Sequence, residues 1–208
     1  GEYVAFLDSD DLWLPDKLKI QIAKMQEYNA VWSCCSYETF GDNTSRRIYM
    51  SKASEEFSYT YSKRIATPSV VIKADILKAN TDFRFNKSIR YGEDSYLWML
   101  LILSYPLLSL NDILVKVRMR GTNAGKRAYV QINARANLWK IRKEQASLFR
   151  YNKKVPLYYK AASEMCIAGC RVLGLIEKRT RNPKALEYAA RVLYLLPYIL
   201  FKFRRTGI

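Results

Sequence analysis

The chain has 208 residues, 50% of them hydrophobic, and sets 35 Lys and Arg against 19 Asp and Glu for a formal net charge of +16 at pH 7. That length can bury one sizeable core and reads as one domain plus an extension, while the charge suits an anionic partner: a nucleotide, a nucleic acid or an anionic membrane face. Histidine is absent, which excludes imidazole as general base, triad member or zinc ligand and leaves proton transfer to carboxylates, Lys, Tyr or Cys.

The first residue, Gly1, leads directly into a strand with no signal-peptide pattern. Tyr3 to Leu7 is apolar on both alternating faces, as in a strand covered on both sides. Three acids follow within four positions, Asp8, Asp10 and Asp11. Carboxylates that close repel one another and need a cation, backbone donors or water to stay charged together. A helix is predicted from Pro15 to about Tyr28, with Leu18, Ile22 and Met25 as its apolar stripe. Ala30 to Tyr37 reads as a second strand, and Gly41 to Arg64 as a long polar loop with one short helix.

Ser69 to Lys73 is a short β-branched strand, and Ala74 to Ala79 a turn or two of helix. Glu93 to Ser104 keeps helical spacing and Pro106 ends it. Leu107 to Leu110 and Ile113 to Met119 read as strands flanking an Asn111–Asp112 turn, the second with a basic outer face of Lys116, Arg118 and Arg120. Beyond the basic loop from Gly121 to Arg127 the pattern is helical: 128–150, 155–176 and 183–203. The expected division is an α/β part at 1–125 and a helical, basic extension at 126–208.

The four cysteines, adjacent Cys34 and Cys35 and then Cys166 and Cys170, lack C-x-x-C spacing and read as reduced, buried residues of a cytosolic protein. No apolar run approaches the roughly 20 residues of a spanning helix. Residues 191–205 join an apolar stretch to Arg191, Lys202, Arg204 and Arg205. Such a segment fits an anionic lipid surface, or packs on the body as a terminal helix.

Two carboxylate clusters carry the chemistry. Asp8 and Asp10 stand where the first strand ends, the place where open sheets bind ligands. Alternate carboxylates there can share Mg²⁺ or Mn²⁺ with the oxygens of a diphosphate; the alternative is a cap for the following helix. Glu93 and Asp94 open an apolar helix, where the dipole favours an ionised carboxylate fit to act as a base; here too a plain N-cap is the alternative. Trp98, one turn on, is either an acceptor-stacking surface or a core residue.

Taken together, "GEYVAFLDSDDLWLPDKL", "TPSVVIKADIL", "FRFNKSIRYGEDSYLWMLL" and "LVKVRMRGTN" resemble the family 2 glycosyltransferases of bacterial polysaccharide and lipopolysaccharide synthesis. The resemblance spans roughly residues 1–125 and does not reach the helical extension. It implies a GT-A fold: α/β, Rossmann-like, a mostly parallel sheet with helices on both faces. Because the family's opening strand of the S-V-I-I-P type has no counterpart here, the resemblance also implies the later portion of the catalytic domain.

The same resemblance implies a metal-dependent, inverting transfer from a nucleotide sugar, a UDP-sugar, to a saccharide or lipid-linked acceptor at the cytoplasmic membrane face. Asp8 and Asp10 correspond to the D-x-D pair that holds donor and Mn²⁺ or Mg²⁺, Asp10 being the direct ligand. Asp94 corresponds to the catalytic base, and Glu93 to the neighbour that positions the acceptor. Where many relatives carry Arg-x-His-Gly this chain has Arg118, Met119, Arg120 and Gly121, so Arg118 and Arg120 are candidates for the diphosphate, with Lys126 and Arg127 on a closing loop. Two other functions compete: a basic nucleic-acid-binding module, for which no motif is present, and a non-catalytic membrane-associated scaffold.

Overall fold

The computed structural model describes residues 1–41, 45–50, 62–120, 127–144 and 156–202. These fall into two compact units. The first comprises Gly1–Asn86 and Asp94–Gly121; the second comprises Lys87–Glu93 and the helical C-terminal region. The short segment Lys87–Glu93 thus groups with the helices.

The first unit holds strands β1 (Tyr3–Ala5), β2 (Leu12–Trp13), β3 (Trp32–Phe40), β4 (Arg46–Ile48), β5 (Val70–Lys73) and β6 (Leu108–Arg118). Its helices are α1 (Lys17–Glu27), α2 (Ala74–Ala79) and α3, which opens at Glu93 and ends at Ser104. The sheet order is β1-β5-β3-β6-β2, with β4 paired to β3. Class α/β is as expected, but the sheet is mixed rather than mostly parallel. Only β3 and β6 run parallel among the described pairs, and β1·β5, β5·β3, β3·β4 and β2·β6 are antiparallel. A continuous apolar run reports that a strand is covered, not which way its neighbour runs. The parallel pair is the one whose connection contains helices, α2 and α3, as a crossover requires.

Between Leu110 and Ile113 the β3–β6 register slips. Asn111 and Asp112, both exposed, form an irregularity in one continuous strand and not the expected turn between two. A bulge and a tight turn share the same small polar residues, so the sequence does not separate them.

The core of this unit lies along β3, β5 and β6, where Trp32, Cys34, Cys35, Val70, Val71, Ile72 and Val115 are fully buried. Helix α1 turns Lys17, Gln21 and Met25 inward while Leu18 stays exposed, which overturns Leu18 as a core residue. Gln21 explains the rotation. Its Nε2 donates to Ser33 Oγ and to the Ser69 carbonyl, both at 2.9 Å, and buried donors with partners hold a helix face as firmly as apolar side chains do. Helix α3 is buried nearly all round from Ser95 to Leu101, as its apolar residues on every side require.

The second unit is built of α4 (Ala128–Glu144), α5 (Leu157–Thr180) and α6 (Pro183–Lys202). Ala162, Cys166, Gly169 and Leu173 give α5 a helical stripe of buried residues, small at three of its four positions. That lets α4 approach closely: a Cβ on Gly169 would lie 2.6 Å from Ile132 Cδ1. Trp139 stacks edge-on against Tyr159 and donates through Nε1 to Glu164 Oε1 at 2.6 Å. The Arg135 guanidinium lies 3.8 Å from the Phe201 ring and donates to Tyr194 Oη at 2.7 Å.

Cys34, Cys35 and Cys166 are buried and Cys170 half-buried, all as free thiols. Burial pushes the Cys35 thiol up to about 11, so it is unreactive at neutral pH. Among the described residues no helix is long and apolar enough to cross a membrane.

Candidate active site

The acid loop is held by the sheet on either side of it. β1 ends at Ala5, and the turn closes with the Asp11 N–H donating to the Asp8 carbonyl at 3.1 Å. Leu12 and Trp13 then pair with Lys116 and Val115 of β6. Asp11 is buried, and its Oδ1 accepts the Arg118 N–H at 2.7 Å. Asp11 is therefore a structural tether, as its place beside the other two acids does not reveal. Burial raises its pKa, with the Arg118 N–H opposing.

Arg118 and Arg120 both reach this loop. Arg118 Nε donates to the Asp10 carbonyl at 3.0 Å while its guanidinium covers the Phe40 ring at 4.5 Å. Arg120 lies 3.4 Å from Asp10 Oδ2. Asp8 has the opposite surroundings. Protein crowded around its carboxyl raises its pKa, and the charges of Asp10 and Asp94 raise it further. Asp8 and Asp10 offer carboxylate oxygens, the ligand type a hard cation takes, but among the described residues no group of three or more Asp, Glu, Cys or His is placed to hold a metal ion.

Asp94 arrives from far along the chain. Phe6, two residues before Asp8, packs edge-on against Trp98 with ring centroids 5.6 Å apart, and Phe85 joins at 6.1 Å from Trp98. Asp94 sits one helical turn before Trp98 on α3, so the aromatic contact brings the two carboxylates into each other's field. Trp98 itself is fully buried. It is part of the core, and the reading of Trp98 as an exposed stacking surface is corrected accordingly.

The Asp94 carboxylate accepts the Ser95 N–H at 2.6 Å. Glu93, half-buried, is the first residue of the same helix. Arg127 belongs to the second unit, and Lys126, with most of the basic loop, lies outside the described residues. Lys17 was missed by the sequence reading. It is fully buried with its Nζ 4.4 Å from the centre of the Trp13 ring, and burial lowers its pKa to about 8.

A mixed α/β sheet unit with paired acids after its first strand, followed by helices, is a GT-A-like fold. S. aureus TarS, residues 1–349, solved with UDP-GlcNAc, superposes with a TM-score of 0.50 at 17% identity over 99% of this chain and 68% of that one. Residues 1–82 match the sequence model of Glycosyl transferase family 2. A protein of Rickettsia felis described as an uncharacterized glycosyltransferase is 33% identical over 124 residues, which is 58% of this chain and 20% of that protein. The Escherichia coli UDP-Glc:alpha-D-GlcNAc-diphosphoundecaprenol beta-1,3-glucosyltransferase WfgD is 27% identical over 111 residues, 53% of this chain and 42% of WfgD. The chain thus spans about a fifth of the first relative and under half of the second.

Proposed function

We propose that the chain is part of an inverting glycosyltransferase that moves a sugar from a UDP-sugar to a saccharide or lipid-linked acceptor in cell-surface polysaccharide synthesis. The observation that carries the reading is the grouping of Asp8, Asp10 and Asp94 in one unit, where Phe6 beside the acid loop packs on Trp98 of the Asp94 helix with ring centroids 5.6 Å apart. The family match over residues 1–82 and the names of the relatives support it.

In this reading Asp10 and Asp8 hold the donor diphosphate through Mn²⁺ or Mg²⁺, which supplies charge neutralisation of the departing nucleoside diphosphate. Asp94 accepts the proton of the acceptor hydroxyl as that oxygen attacks the anomeric carbon in line, and Glu93 orients the acceptor. Arg120, paired with Asp10, is placed to exchange that carboxylate for a diphosphate oxygen when the donor binds. Arg118 keeps the loop in shape through the Asp10 carbonyl and the Asp11 carboxylate.

The test is calorimetric titration of UDP with and without Mn²⁺, on this chain and on an upstream-extended form, each beside Asp10→Asn. Metal-dependent binding that disappears in Asp10→Asn is the expected result. Silence toward UDP and the other nucleoside diphosphates in both forms would sink the reading.

The acceptor side involves the membrane. On α6, Tyr188, Val192, Leu195, Leu196 and Ile199 are all exposed and repeat at helical spacing, with Arg191 and Lys202 on the same helix. An amphipathic face of this kind lies in the headgroup region of an anionic bilayer, and we place the chain peripherally at the inner face of the cytoplasmic membrane. Residues 203–205, with the last two arginines of the stretch, lie outside the described residues.

A further inference from the structure

The helical unit contains a cavity of about 320 Å³ whose lining includes Arg90, Arg127, Arg181, Tyr91 and Tyr129. No candidate site residue other than Arg127 touches it. We propose that this cavity binds a diphosphate group, the three guanidiniums supplying the charge and the tyrosines an adjoining wall for an attached sugar.

The two carboxylates at the cavity already have donors. Glu187 accepts the Ala128 N–H at 2.8 Å and the Tyr129 N–H at 3.2 Å, with Arg191 at 3.5 Å. Glu177 Oε2 accepts the Tyr129 hydroxyl at 3.3 Å. The start of α6 is likewise satisfied, Asn182 Oδ1 accepting the N–H groups of Lys184 and Ala185. What remains available is cationic. Among the described residues no carboxylate forms an ion pair with Arg90, Arg127 or Arg181, and the Arg90 guanidinium lies 5.4 Å from the centre of the Tyr91 ring.

Arg181 adds a backbone observation. It ends α5 at φ +47°, a left-handed position in which glycine would be unstrained; an arginine held there at a conformational cost puts a guanidinium at the cavity. Planar guanidiniums match the paired oxygens of phosphates, and charge-assisted bonds to them are the strong ones. The volume is at the small end for a ligand pocket, enough for a diphosphate and little more than one sugar ring. Tyr91 and Tyr129, edge to face at 6.1 Å, give that ring an aromatic side.

Two sources share this chemistry: a nucleoside diphosphate and a lipid-linked diphosphosugar. The choice between them rests on the transferase reading; the anion site does not. The experiment titrates inorganic pyrophosphate, without metal and at about 0.15 M salt to screen diffuse attraction, into the 208-residue chain, Arg90→Gln/Arg181→Gln and Arg90→Lys/Arg181→Lys. Thermal unfolding of each variant establishes that it is folded.

The expected result is a loss of affinity of about tenfold or more in the glutamine pair and a smaller loss in the lysine pair. Equal affinity in wild type and the glutamine pair overturns the proposal. Because no metal is present, that result leaves standing the transferase reading, which the UDP titration with Mn²⁺ tests. UDP and a short-chain prenyl diphosphosugar then compete for the bound pyrophosphate. Displacement by either supports the site and names its source; displacement by neither marks an adventitious anion and overturns it.

Discussion

At the scale of single residues, neighbours in the chain have separate roles. Asp8, Asp10 and Asp11 look alike in sequence, yet Asp11 is a buried tether to Arg118, Asp10 carries the Arg120 ion pair, and Asp8 is raised by burial and by the charges of Asp10 and Asp94. Asp94→Asn is expected to lower turnover about 10²- to 10⁴-fold, the usual contribution of a general base, with UDP affinity unchanged; single-turnover kinetics beside calorimetry separate the two. Lys17 gives a prediction on stability. Below about pH 8 its ammonium is charged in folded and unfolded chains alike, and the cost of burying it is fully present. Between about 8 and 10.5 the unfolded chain holds a proton that the folded chain has given up, so stability rises with pH across that window. Lys17→Met is expected to raise stability at neutral pH by up to about 3 kcal/mol and to flatten the rise, as read from urea unfolding at neutral and alkaline pH. An unchanged pH slope would assign the slope to another group.

At the scale of elements, most of the helices were legible. Glu93–Ser104 and Ala74–Ala79 fall where spacing and Pro106 put them, and α4, α5 and α6 begin within a few residues of expectation. Apolar periodicity and helix stops are local properties of the chain, and helices answer to them. The rotation of α1 was not legible, because Gln21 is buried by partners on β3 and on the turn before β5, both distant in sequence. Nor was the end of β3. Gly41 adopts φ +97° and its missing Cβ would sit 2.7 Å from the Met119 carbonyl oxygen, where the Met119 N–H also donates to the Phe40 carbonyl. Gly41→Ala is expected to cost about 1–3 kcal/mol and to loosen the end of β6 that carries Arg118 and Arg120. Urea unfolding measures the first, and weakened UDP binding in a still-folded variant the second.

For the whole molecule, charge and the exposed face of α6 act together. Binding to vesicles containing anionic lipid is expected to fall steeply with salt, each Lys or Arg near the surface contributing about 1 kcal/mol. Leu195→Glu/Ile199→Glu is expected to weaken that binding about tenfold while leaving UDP titration unchanged. Co-sedimentation with neutral and anionic vesicles decides it: equal binding by both variants and both lipids would leave α6 a solvent-facing helix.

The sequence by itself determined the α/β class, the helical C-terminal region, the acid clusters and the resemblance that the family match over residues 1–82 bears out, because these depend on local pattern and on short motifs. Only the tertiary structure decided the strand directions, the burial of Trp98 and Lys17, the tethering of Asp11, and the convergence of Arg90, Arg127 and Arg181 on one cavity. Each of those joins residues tens of positions apart. Hydrophobic burial selects such pairings by total packing and hydrogen-bond satisfaction, to which any one stretch of sequence contributes only half of each contact.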